Sequence, residues 1–187
     1  MRIAFVIYEG MTALDFVGAY DPLTRLKTMG FMRDVDWDIC AYTAEVHDGA
    51  GLAFRPTRVA EPLGGYDLVY VPGGLATRLL VEDPGFVDWI RTASGSRRIA
   101  SVCTGSLLLG AAGLLTGRRA TTHPSAFDEL RPYCAEVLDA RVVDEGAVVT
   151  GRGVASSLDL GLYLAEQIAG PAVTERIRRQ MDYPHGA

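Results

Sequence analysis

Apolar positions along the chain gather in short runs: Ile3 to Tyr8, Tyr66 to Val71 (broken only by Asp67) and Ile99 to Val102. Runs of this length, bounded by turn residues, predict strands buried on both faces, as in a parallel sheet. Between them lie stretches of helical composition. Ala13 to Met29 follows a turn in which Thr12 is a candidate N-cap, and Pro22 inside it predicts a break or kink near Asp21. Val35 to Tyr42 predicts a second strand, and Glu45 to Val59, with Gly49-Ala-Gly51 at its centre, a hairpin flap. Pro72-Gly73-Gly74 ends the Tyr66 strand, a helix follows through Leu80, and Asp83-Pro84 opens another to about Ser94.

Ser106 to Leu115 reads as a helix, Arg119 to His123 as a short strand, and Pro124 opens a helix to about Leu130. Val137 to Val143 and Ala147 to Thr150 read as strands joined by a hairpin turn at Asp144-Glu-Gly146. Gly151-Arg-Gly153 leads into a helix from Ala155 to Ala169, and a last helix runs from Pro171 to near Tyr183. Strands alternating with helices define an α/β domain with a mostly parallel sheet. There is no repeat and no low-complexity linker, so residues 1–187 form one expected domain.

Composition narrows the partners. Hydrophobic residues make up 49% and charged residues 22%, which is globular rather than disordered. A formal charge of −5 without a Lys/Arg block argues against nucleic acid and anionic membrane. The first residues form a strand and not a signal peptide, and no apolar run is long enough to span a bilayer. The three cysteines, Cys40, Cys103 and Cys134, have no C-x-x-C spacing, which fits free thiols in a reducing compartment and no zinc site. A cytoplasmic location is expected.

The junction at Cys103 carries the candidate chemistry. A buried strand stops there and a helix begins, so the chain turns sharply, with the small Ser101 and Gly105 on either side of the turn. This is the sulfur counterpart of a nucleophile elbow. The helix dipole favours thiolate, so a thiol pKa below that of free cysteine is expected. A cysteine after a strand is also simply a small buried hydrophobe. Sites in such sheets lie beyond the carboxyl ends of the strands, where Asp15, Gly73-Gly74, Cys103, His123 and Gly151 all fall.

Each companion has two readings. Asp15 beside Cys103 relays a proton if desolvated, or is a first-turn acid that the dipole favours. Gly73 and Gly74, with the Thr104 N–H, offer an anion hole, or form an ordinary strand-to-helix turn. The Thr104 hydroxyl orients a substrate atom or water, or merely starts the helix. His123 serves as a base or fixes a turn. His47 and His185 carry no signal.

Taken together, Leu14-Asp15 with Gly18, Val71-Pro-Gly-Gly74, Ser101-Val-Cys-Thr-Gly-Ser106 and Gly110 to His123 resemble the ThiJ/PfpI superfamily, with its class I glutamine amidotransferase-like fold. The branch of isonitrile (isocyanide) hydratases is the most similar. The resemblance implies a flavodoxin-like three-layer sandwich, Cys103 as nucleophile, Asp15 as the acid touching it, Thr104 assisting, and a homodimer. It implies hydration of a small-molecule isonitrile to an N-substituted formamide through a thioimidate, with no metal or organic cofactor. A glutaminase needs a late His-x-Glu, and peptidases of this superfamily carry His directly after the nucleophile, where Thr104 stands. Related transcription regulators add a helix-turn-helix domain, for which no room is expected after Tyr183. A glyoxalase- or deglycase-like enzyme and a redox-sensing Cys103 remain as alternatives.

Overall fold

A computed structural model describes residues 1–184; His185 lies outside the described residues. The main sheet is built from β1 (Arg2–Ile7), β2 (Asp36–Ala41), β5 (Arg58–Val59), β6 (Leu68–Val71), β7 (Arg98–Val102), β10 (Val142–Asp144) and β11 (Val148–Gly151). Its order is β10-β11-β7-β6-β1-β2-β5, parallel throughout except for β10, which runs antiparallel to β11. Two small ladders lie outside it: the hairpin of β3 (Val46–His47) with β4 (Ala53–Phe54), and β8 (Arg119–Ala120) with β9 (Glu136–Val137).

Every residue of β6, and Ile3–Ile7 of β1, is buried. Successive side chains of a strand point to opposite faces, so helices cover both sides of the sheet. On one side α1 (Ala13–Thr28) packs on α6 (Ser156–Ala169), and α6 on α7 (Pro171–Gln180). On the other, α2 (Thr77–Leu80) and α3 (Pro84–Arg91) pack against α4 (Gly105–Ala111), which α5 (Phe127–Leu130) also touches. This is the expected α/β sandwich.

Four expectations change in detail. The helix 13–28 runs unbroken through Pro22, because the ring is buried in the crossing with α6. Tertiary packing there outweighs the lost helical hydrogen bond. Arg58–Val59 leaves the flap and pairs with Cys40–Ala41 as the edge of the main sheet. The stretch 119–123 is a strand only at Arg119–Ala120, because the next N–H, of Thr121, turns to Thr150 Oγ1 at 2.9 Å, and His123 caps a 3-10 turn that opens with Pro124. The single strand expected over 137–143 is two, one pairing with β8 and one with β11.

The α1–α6 crossing is close because it lacks side chains. A Cβ on Gly161 would stand 2.6 Å from Pro22 Cγ and 2.8 Å from Ala19 Cα. Neither neighbour moves easily, one being a ring and the other backbone. Gly161→Ala is therefore expected to destabilise the protein by about 1–3 kcal/mol, the range for overpacking. Urea unfolding followed by circular dichroism checks this; an unchanged midpoint would contradict so close a crossing.

Candidate active site

β1, β6 and β7 are neighbours in the sheet, and the residues that follow their carboxyl ends converge on Cys103. Cys103 adopts φ +55, a left-handed conformation that costs a non-glycine residue roughly 1 kcal/mol or more. Local bonds hold it there. Its N–H donates to Gly151 O at 3.0 Å, and its carbonyl accepts from the hydroxyls of Thr122 (3.0 Å) and Ser106 (3.1 Å). The relief expected from Gly105 is present, since a Cβ there would meet Val71 O at 2.5 Å. Ser101 is buried, with a hydroxyl that has no partner.

Asp15 sits in the first turn of α1, with its N–H on Thr12 O at 3.0 Å. Its side chain turns into the protein and is fully buried, with Oδ2 accepting the Gly73 N–H at 3.0 Å. The carboxyl lies against the Cys103 thiol, and its Oδ1 is buried with no hydrogen-bond partner. The Asp15 backbone carbonyl accepts from the buried Tyr70 hydroxyl at 2.7 Å, and the Tyr8 hydroxyl donates to Pro72 O at 2.8 Å. Neither tyrosine stood out in the sequence; both hold the backbone around the carboxyl.

Gly73 and Gly74 join Asp15 to Thr104. Gly74 N–H donates to Thr104 Oγ1 at 3.0 Å, and that hydroxyl reaches Gly74 O at 2.9 Å. Both glycine amides are thus engaged inside the protein, so the anion hole expected of them gives way to a positioning role. Gly73 has no room for a side chain, since a Cβ would stand 2.6 Å from Thr104 N, 2.8 Å from Cys103 Cβ and 2.9 Å from Asp15 Oδ2. The donor left facing the sulfur is the Thr104 N–H, since the hydroxyl proton is spent on Gly74 O.

The electrostatics reverse the expected thiol. Burial, then the adjoining Asp15 carboxylate, push Cys103 up to about 12, against the pull of the Thr104 N–H. Burial likewise pushes Asp15 up to about 6, although the Gly73 hydrogen bond and the Cys103 thiol favour its ionised form. Desolvation outweighs the dipole of a seven-residue helix. Burial thus favours the neutral thiol of Cys103 beside a carboxyl that is itself harder to ionise. The arrangement can release a thiolate and a proton together, at one place.

A cleft of about 160 Å³ opens over Cys103, with Thr12, Leu75, Arg78, Thr104, His123 and Ser125 among its walls. His123 shares this cleft but makes its hydrogen bonds with Ser125, whose N–H donates to Nδ1 at 3.3 Å and whose Oγ lies 2.8 Å from it. With Nδ1 accepting from the Ser125 N–H, the neutral ring carries its proton on Nε2. Arg78 is bound to Glu129 at 2.9 Å. Arg78, Ser125 and Leu75 were not singled out in the sequence, and Thr12 was read only as a helix N-cap; the helix expected after Gly74 alone hinted at Leu75 and Arg78. Arg152 pairs with Asp139 and Tyr163 donates to Asp144, both away from the cleft. A larger hollow of about 420 Å³ lies at the amino ends of the strands, near Leu68, Arg97 and Leu164, far from this chemistry. Chemistry, not size, picks the site.

The DJ-1/PfpI family profile matches residues 1–167. Isonitrile hydratase of Pseudomonas putida is 36% identical over 185 residues, covering 98% of this chain and 78% of that protein. Protein DJ-1alpha of Drosophila melanogaster is 27% identical over 181 residues, 94% of this chain and 81% of that protein. A ThiJ/PfpI family protein from Pseudomonas syringae superposes with a TM-score of 0.88 at 32% identity, over 100% of this chain and 76% of that one. The chain belongs to the DJ-1/PfpI family. Among the described residues no helix is long and apolar enough to cross a membrane.

The raised carboxyl has a consequence for stability. The folded protein holds the Asp15 proton more tightly than the unfolded chain does. This contribution is complete below about pH 4 and is lost as pH rises through about 6. The full difference is roughly 3 kcal/mol. Asp15→Asn, which cannot ionise, should gain on the wild type by up to that amount between pH 4 and pH 7.5 in urea unfolding. A gap that does not change with pH would show an ordinary carboxyl.

Proposed function

We propose that this protein is a cysteine-dependent hydratase that adds water to an isonitrile, R–N≡C, to give the N-substituted formamide. The observation that carries this reading is the fully buried Asp15 carboxyl set against the thiol of Cys103, which itself lines a cleft. The terminal isonitrile carbon needs a proton and a nucleophile on the same atom. A thiol set against a carboxyl supplies both from one position. The similarity to isonitrile hydratase over nearly the whole chain supports the same substrate class.

In the first step the thiol proton passes through Asp15 to the isonitrile carbon while Sγ bonds to it, giving the thioimidate R–N=CH–S–Cys103. The Thr104 N–H steadies the sulfur as its charge grows. Water then adds its oxygen to that carbon and one proton to nitrogen, with the Nε2–H of His123 available to orient the oxygen. The C–S bond breaks, formamide leaves, and the second water proton returns to the Cys103–Asp15 pair. The sequence of steps balances with water alone.

A redox-sensing role fits less well, because such cysteines are exposed and of low pKa, whereas Cys103 is 6% exposed and held as a thiol. Free cysteines support a reducing, cytoplasmic setting. Outward-facing Leu14, Val17 and Leu79 support a homodimer that covers them. Light scattering on the purified protein is expected to give twice the chain mass; the mass of one chain would rule the dimer out.

Incubation with cyclohexyl isonitrile is expected to yield N-cyclohexylformamide. Cys103→Ala should abolish turnover, and Asp15→Asn should lower kcat on the order of 10²-fold or more. Full activity in Cys103→Ala would reject the mechanism. Turnover of methylglyoxal with none of the isonitrile would assign the dicarbonyl chemistry instead.

A further inference from the structure

We infer that the hollow beneath the 46–54 hairpin is a second compartment of the same site, built to take the hydrocarbon substituent of the substrate. The inference rests on the hydratase reading and names the part of the substrate that this reading leaves open. The cleft over Cys103, at about 160 Å³, has room for the reacting N≡C end and a short substituent, but not for a long tail. A separate hollow of about 210 Å³ adjoins it, and Thr12 and Leu75 line both. A ligand bonded to Sγ therefore has a neighbouring space into which its tail can extend.

The walls of that space are apolar and mostly fixed. Gly10, Ala13, Gly49 and Ala50 present backbone and methyl groups only. Asp48 is the one charged residue there, and its Oδ1 is turned onto the N–H groups of Ala50 (2.9 Å) and Leu52 (2.8 Å). Its charge is thus satisfied inside the hairpin turn and not presented to a ligand. The hairpin is pinned to the loop before α1 by Gly10 N–H to His47 O at 2.8 Å and Gly49 N–H to Met11 O at 2.9 Å. Opposite this fixed wall stands Leu75, 83% exposed, a side chain with unspent apolar surface at the boundary of the two spaces. A hydrocarbon chain laid between Leu75 and the hairpin covers that surface, whereas a charged tail would meet no opposite charge among the walls.

The test is a chain-length series, n-alkyl isonitriles from methyl to hexyl. In the wild type kcat/KM should climb about fourfold per methylene over the first few carbons, the gain expected for burying one CH₂. Ala50→Trp, at an exposed turn position where folding is not at stake, should cut that slope below twofold. The same slope in wild type and Ala50→Trp would overturn the inference. Binding of N-hexylformamide and N-methylformamide, followed by amide resonances of Gly10, Gly49 and Ala50, reads the compartment without turnover. Shifts with the hexyl probe and none with the methyl probe uphold the compartment even if no isonitrile is hydrated, in which case the hydratase reading alone fails. Turnover with no slope and no shifts would remove the compartment and leave the hydratase.

Discussion

The hydrogen bond from the Gly73 amide to the Asp15 carboxylate is the constraint on which the site depends. It ties the loop after β6 to the first turn of α1, and the next amide, from Gly74, ties the same loop to Thr104 at the head of α4. Three adjacent strands are thereby brought to a common point by two successive backbone groups. No side chain fits at Gly73, so the joint is made of backbone alone and its geometry leaves little slack.

That geometry excludes water, and the exclusion governs the charges. A carboxylate and a thiolate side by side in a dry pocket would each lack solvation and would repel. Holding the sulfur as a thiol avoids the double charge, at the cost of a nucleophile that is not ionised at rest. A buried neutral thiol is also less open to adventitious electrophiles and oxidants than an exposed thiolate would be.

Much of the architecture was legible because the central strands are parallel and buried on both faces, which prints β1, β6 and β7 as nearly unbroken apolar runs. What failed was the periphery. β5 and β8 are two-residue strands whose pairing is decided by distant partners, and Pro22 was read by its local cost without the α6 surface that accommodates it. In the site, Cys103, Asp15 and Thr104 could be read because each follows a recognisable strand end. Ser125 and Arg78 could not, being polar residues on short elements with no pattern of their own. The thiol was misjudged for a related reason: the helix dipole is visible in a sequence, whereas the burial that opposes it is a property of the assembled fold.

The flattened crossing of α1 and α6 has a bearing beyond packing. Asp15 rides at the amino end of α1, so the helix acts as a rigid rod whose seating on a neighbour 140 residues further along decides how far the carboxyl reaches, as the bond from Ser157 Oγ to Leu14 O illustrates (143 residues apart in sequence). Wear at that bearing would idle the sulfur while the sheet beneath stayed intact. Loss of chemistry and loss of fold are thus separable in this molecule, and the first can begin far from the residues that perform it.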